Sequence, residues 1–158
     1  MIGHQKVLVP VSGKFRLERA KQALEHALQI VREDGEIGFI HCTLGSYLIS
    51  GEAHKKLVIA NTREAEKLFK PLLDRVKNAG IAYCVHIADG SPGTQVPKFA
   101  SEKKFNIVVM CTGGRTASGH YESTEYVIGS VTDYMLRYLN VPLYIVRLCK
   151  NNPSLWET

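Results

Sequence analysis

Short, unbroken apolar runs alternate along this chain with longer stretches in which apolar residues recur every three or four positions. Lys6-Val7-Leu8-Val9-Pro10-Val11 opens the series, apolar and β-branched as a strand buried on both faces should be. From Arg16, the positions Ala20, Ala23, Leu24, Ala27, Leu28 and Val31 form one helical stripe, and Gly35 is expected to stop that helix. Ile37 to Cys42 predicts a second strand and Thr43 to Glu52 a polar loop. Ala65, Leu68, Phe69, Leu72, Leu73 and Val76 predict a second long helix, closed by Gly80 and kinked at Pro71. Ala82 to Ile87 predicts strand three, Ser91 and Pro92 the cap and first residue of a third helix, and Asn106 to Cys111 strand four. The last helix is expected to begin at the cap Ser130, with Asp133 at capping-box spacing and a stripe of Val131, Tyr134, Met135, Tyr138 and Leu139. Asn140 and Pro142 end it before strand five, Leu143 to Val146.

Strands and helices in strict alternation imply an α/β fold, a five-stranded parallel sheet with right-handed crossovers and helices on both faces. The 158 residues fit one domain, taken as 1–150, followed by a short tail, 151–158. The start lacks an apolar leader and no run is long enough to span a membrane, so the expected location is the cytoplasm. Cys42, Cys84, Cys111 and Cys149 form no CxxC pair and show no metal-ligand spacing, which argues for reduced thiols and against zinc. A net charge of +5, scattered and without a basic stripe interleaved with aromatics, gives no support to a nucleic-acid partner.

The segment that carries chemistry follows strand four. Val108 to Thr116 runs from a buried strand into Gly113 and Gly114, and Gly129-Ser130-Val131 leads into the last helix. Glycines let backbone N–H groups approach a phosphate, and the free N–H groups and positive dipole end of a helix attract negative charge. Ligands of open parallel sheets bind beyond the carboxyl ends of the strands, where strand order reverses. If that point lies between strands one and four, Ser12 to Lys14 and Cys111 to Ser130 face each other across one crevice.

Six stretches in order, Val7 to Val11, Ile40-His41-Cys42, Gly90-Ser91-Pro92, Ile107 to Met110, Gly129-Ser130-Val131 and Val141 to Val146, resemble the universal stress protein family over nearly the whole chain. The resemblance implies a Rossmann-like domain, of the adenine nucleotide alpha hydrolase-like kind, with strand order 3-2-1-4-5. It also implies a homodimer joined through Leu143, Tyr144, Ile145 and Val146. One branch of that family binds ATP through G-x2-G-x9-G-[ST] and another does not. Carried over residue by residue, the expected nucleotide contacts are Ser12, Cys42, Cys111, Gly114, Arg115, Gly129, Ser130 and Val131. The chain departs from the ATP pattern in three places. Cys111 stands at the first glycine and Ser12 where an aspartate is common. Fourteen residues, Arg115 to Ile128, separate Gly114 from Gly129 where the pattern has nine.

Each candidate also has a plainer role. Gly114 and Gly129 suit turns, Ser130 a helix cap, and Cys42 a small wall residue. Ser12 suits a loop hydroxyl, while Lys14, Arg16 and Arg115 suit solvated surface charge. His41 and His86 lie in strand patterns, where a hydrogen-bonded structural histidine is expected. Cysteine lacks glycine's access to positive φ, so Cys111 would need another loop conformation if the motif requires one. Glu122 and Glu125 bring negative charge toward a triphosphate; they can accompany a divalent cation beside the nucleotide but are too few for a metal cage. Two readings stay open. One is a regulatory module that binds ATP or another adenine nucleotide and signals to a protein partner. The other is a nucleotide-free dimeric interaction protein whose crevice is remodelled by residues 115–128. An enzyme would need a base or metal ligand that the spacing does not supply.

Overall fold

A computed structural model of the chain describes residues 3–11, 17–43, 50–112 and 130–147. The elements follow in the order β1 (His4–Pro10), α1 (Leu17–Ile30), β2 (Val31–Thr43), α2 (Gly51–Asn78), β3 (Ala82–Asp89), α3 (Pro92–Glu102), β4 (Ile107–Thr112), α4 (Ser130–Tyr138) and β5 (Leu143–Arg147). All five strands are parallel and lie in the order β3-β2-β1-β4-β5. The fold class and strand order expected from the sequence are therefore the observed ones.

Side chains of a strand alternate between faces, and that alternation divides the core in two. Val7, Val9 and Val11 join Phe39, Val109 and Cys111 beneath α1 and α2, where Leu24, Phe69 and Leu72 close the layer. On the opposite face Leu8, Ile40, Val108 and Met110 meet Val96 and Phe99 of α3 and Met135 of α4. The sheet is covered on both sides, which is why β1 and β4 read as continuous apolar runs.

Several local expectations change. Val31 and Gly35 belong to β2, not to the first helix, which ends at Ile30. Val31 partners His4, and the register then shifts so that Lys6 partners Glu36. Gly35 is needed for a close approach: a Cβ there would lie 2.7 Å from the carbonyl oxygen of Gln5. The second helix begins at Gly51, well before Ala65. Its leading turns are mostly solvent-facing, with Val58 and Ile59 exposed, so no buried stripe announced them. It runs through Pro71 without interruption. Strand three extends to Asp89, and Asn106 precedes β4, accepting a hydrogen bond from the N–H of Lys6 at 2.7 Å through its side chain.

Ser91 occupies the cap position of α3 and Pro92 its first residue, as expected. The cap works through its backbone: the Ser91 carbonyl accepts the N–H groups of Thr94 and Gln95, and no side-chain cap bond forms. Ser130 is the first helical residue of α4 rather than its cap, and Asp133 sits 3.5 Å from Arg137 in an i,i+4 pair. The stripe of α4 is also narrower than predicted. Met135 is fully buried and Val131 and Leu139 pack beside it, whereas Tyr134 and Tyr138 are exposed, their rings 4.4 Å apart. Thr132, a polar residue that the apolar pattern passed over, takes a buried place in the first turn.

Gly38 tests how tightly β2 is packed. A Cβ at this position would meet the Phe105 ring at 2.5 Å and the Cys84 sulfur at 3.2 Å. Overpacking of a close-packed core costs about 1–3 kcal/mol. Gly38→Val is expected to lower unfolding free energy by that amount, and urea denaturation followed by circular dichroism measures it.

Candidate functional site

β1 and β4 are neighbours, yet their pairing is short. Register pairs join Val7 to Ile107 and Leu8 to Val108. On the outer sides, β1 pairs with β2 as far as Pro10–Ile40, and β4 pairs with β5 as far as Thr112–Arg147. The hydrogen-bonded pairing of the two central strands thus ends early toward their carboxyl ends, at the place where strand order reverses. That is the crevice in which open parallel sheets bind ligands.

The rim of this crevice is held by identifiable contacts. Val11, the last described residue after β1, gives its N–H to the Ile40 carbonyl at 2.8 Å. Its own carbonyl lies 2.7 Å from Nδ1 of His41, and because a carbonyl only accepts, Nδ1 carries the proton. His41 also sits edge-on to Phe69. It is the structural histidine expected from the sequence, and its task is to fix the exit of β1. His86 differs from that expectation: its ring lies flat on Phe99 with centroids 4.2 Å apart. Burial and the neighbouring Lys103 lower its pKa. At the far end of β2, Thr43 accepts the N–H of Gly90 through its carbonyl at 2.8 Å. Gly90 has φ +131°, a conformation that side chains rarely adopt, so the turn into α3 calls for glycine.

On the other rim, α4 begins at Ser130 and is seated by Thr132, whose hydroxyl reaches the Met110 sulfur at 3.8 Å across to β4. The first N–H groups of any helix lack intrahelical partners. The first turn of α4 therefore supplies donors and the positive end of a dipole. Thr132 was missed in the sequence; its signal was a small hydroxyl in the first turn of a helix beside the apolar Val131.

Of the expected contacts, Cys42, Cys111, Ser130 and Val131 fall within the described residues. Ser12, Gly114, Arg115 and Gly129 lie outside them, as do Lys14, Arg16, Glu122, Glu125 and the tail 151–158. Cys42 is half-buried at the end of β2, beside Ala88 of β3. Cys111 lies inside β4, paired with Val146, and its side chain packs into the core beneath α1. Lys104 alone among the described non-glycine residues has positive φ, so Cys111 needs no strained backbone. Cys111 thus keeps ordinary strand backbone at the position where the resemblance places glycine. Val131 packs on the α3–α4 side of the core, which leaves its backbone, not its side chain, for a ligand. Among the described residues no group of three or more His, Cys, Asp or Glu could hold a metal ion, and no helix is long and apolar enough to cross a membrane.

Comparison with known proteins accords with this geometry: the pattern described as "Universal stress protein family" matches residues 3–147. The chain belongs to the universal stress protein family. A universal stress protein of Methanocaldococcus jannaschii is 22% identical over 148 residues, covering 91% of this chain and 82% of that one. Universal stress protein G of Shigella flexneri is 24% identical, covering 91% and 99%. Among solved structures, the hypothetical protein MJ0577 superposes with a TM-score of 0.74 at 23% identity, covering 93% of this chain and 98% of that one. A universal stress protein in complex with cAMP gives a TM-score of 0.62 at 18% identity, with 93% and 99% covered. An Arabidopsis thaliana family member with AMP bound gives 0.65 at 16%, with 95% and 96% covered. At these identities the likeness is one of fold.

Two outcomes follow from the rim contacts. Burial pushes the Cys42 thiol from its ordinary 9.0 up to about 11, so it stays a protonated thiol at neutral pH. Alkylation of Cys42 by iodoacetamide, read by peptide mass spectrometry, should be slow near neutrality and accelerate as pH rises toward 11. In the unfolded chain the same acceleration should come near 9. His41→Ala removes the donor to Val11 and should cost about 1 kcal/mol of stability, the net worth of one hydrogen bond, measured as a shift in the urea midpoint.

Proposed function

We propose that this universal stress family member is a regulatory module that binds an adenine nucleotide, ATP with a divalent cation beside its phosphates, in the crevice between β1 and β4. Its work is binding rather than turnover, with the bound state passed to a protein partner. The observation that carries the reading is the end of the β1–β4 pairing after Leu8 and Val108, at the point where strand order reverses, with the N-terminus of α4 beside it. The adenine nucleotides bound by two structural relatives, cAMP and AMP, support the class of ligand. Backbone groups at the end of β2 near Cys42 suit the base, and those of Ser130 and Val131 suit phosphate. Gly114, Arg115, Gly129 and Ser12 complete the proposed contacts from the resemblance.

β5 supports the proposed homodimer. It is an edge strand, and Leu143, Tyr144 and Ile145 are only half-buried there. An apolar edge strand invites pairing with another strand, and a second copy satisfies it symmetrically. Light scattering at micromolar concentration should report a dimer; a monomer would remove the proposed interface.

For the ligand, mass spectrometry of protein purified from cells and then denatured should release an adenine nucleotide. Gly129→Val should abolish ATP binding in calorimetry while circular dichroism stays that of the parent, because a Cβ and branched side chain block close approach of backbone to phosphate. Unchanged affinity in the folded variant would refute the site.

A further inference from the structure

From the hydrogen-bond parity of the central strands, we infer that Pro10 is the positioning residue that separates β1 from β4 and so holds the crevice open. Along a strand, successive backbone amides point alternately to the two neighbours. Val11 directs its N–H to Ile40 in β2, so the amide position of residue 10 faces β4. The carbonyl of Lys6, of the same parity as residue 10, faces that side as well and accepts the N–H of Asn106 at 2.8 Å. On β4, Val108 gives its N–H to Pro142 ahead of β5, so Val109 faces β1.

In a parallel ladder in this register, the next rung after Leu8–Val108 requires the N–H of residue 10 to reach the carbonyl of Val109. Proline has no N–H. Without that donor the rungs at 9–109 and 10–110 cannot close, and the pairing stops where it is observed to stop, after Leu8–Val108. A central strand tolerates proline poorly because a ladder bond is lost, and here the loss coincides with the end of the β1–β4 ladder at the switch point. The outer ladder is untouched: Pro10 still partners Ile40, through the N–H of Val11. Pro10 therefore opens one side of β1 and leaves the other closed.

The strand-splitting role stands on the backbone alone, while its consequence for a ligand rests on the proposed nucleotide reading. Pro10→Val restores the N–H in a strand-favouring residue, and Pro10→Ala restores it with the smallest side chain. Amide hydrogen exchange read by NMR on the whole chain should show the new residue-10 amide protected like its neighbours in β1. ATP titration by calorimetry should show weaker binding in both variants than in the parent. A residue-10 amide that exchanges as fast as an exposed loop amide in the folded variants overturns the splitting role. Protection with ATP affinity equal to the parent's overturns the claim that the split holds the crevice open. If the parent itself binds no ATP, the nucleotide reading fails, and protection of the residue-10 amide still supports Pro10 as the residue that parts the strands.

Discussion

The constraint on which this structure depends is the burial of β1 on both faces and its pairing on both edges. Val7, Leu8 and Val9 are wholly excluded from solvent, and burying each such side chain contributes about 1.5–3 kcal/mol. A strand so placed must lie at the middle of the sheet, with β2 on one side and β4 on the other. Right-handed crossovers then carry the chain first to one flank and later back across to the other. The reversal that makes a ligand crevice is thus a result of core packing before any ligand is considered.

The elements joined to β1 extend that control to the rim. His41 and Ile40 of β2 hold Val11 at the rim, and near the opposite end of β1 Asn106 holds Lys6. Farther out, Arg75 of α2 forms a two-pronged pair with Glu25 of α1, at 2.7 and 3.1 Å. His26 of α1 meets the Tyr144 hydroxyl of β5 at 2.9 Å. The first contact fixes two helices to each other, and the second ties α1 to the strand at the open edge. The Glu25–Arg75 pair is partly exposed, so its worth is limited to about 1 kcal/mol or less. Its geometric effect is to keep α1 and α2 aligned over the same core layer.

What the sequence revealed was set by periodicity. Strands buried on both faces and helices with one buried stripe announced themselves, as Val7 to Val11 and Ala65 to Val76 show. Where burial did not impose a period, the reading failed. The leading turns of α2 are exposed, so nothing marked Gly51 as a helix start. Gly35 looked like a helix stop because a glycine after a stripe usually is one; its neighbour in space, Gln5, lies thirty residues earlier and is invisible to local pattern. Tyr134 and Tyr138 kept the helical spacing of core residues but lie past the edge of the buried face. The candidate site was legible only as chain order and motif, because its geometry comes from where strands stop pairing. Thr132 and the role of His41 needed the third dimension.

Cys111 shows why motif departures in such a site need a physical reading. The resemblance places glycine there, and cysteine lacks glycine's access to positive φ. In the fold the residue is still within β4, with ordinary backbone and a side chain that drops into the layer beneath α1. Strand alternation puts its Cβ into the core, in the same buried cluster as Val11, Ala20 and Val146. Cys42 follows the same logic on the opposite face, leaning on the α3–α4 layer. At both positions the side chain belongs to a core layer. A site built from strand ends and a helix start is written in backbone, so it can keep its donors while side chains at motif positions drift with the core.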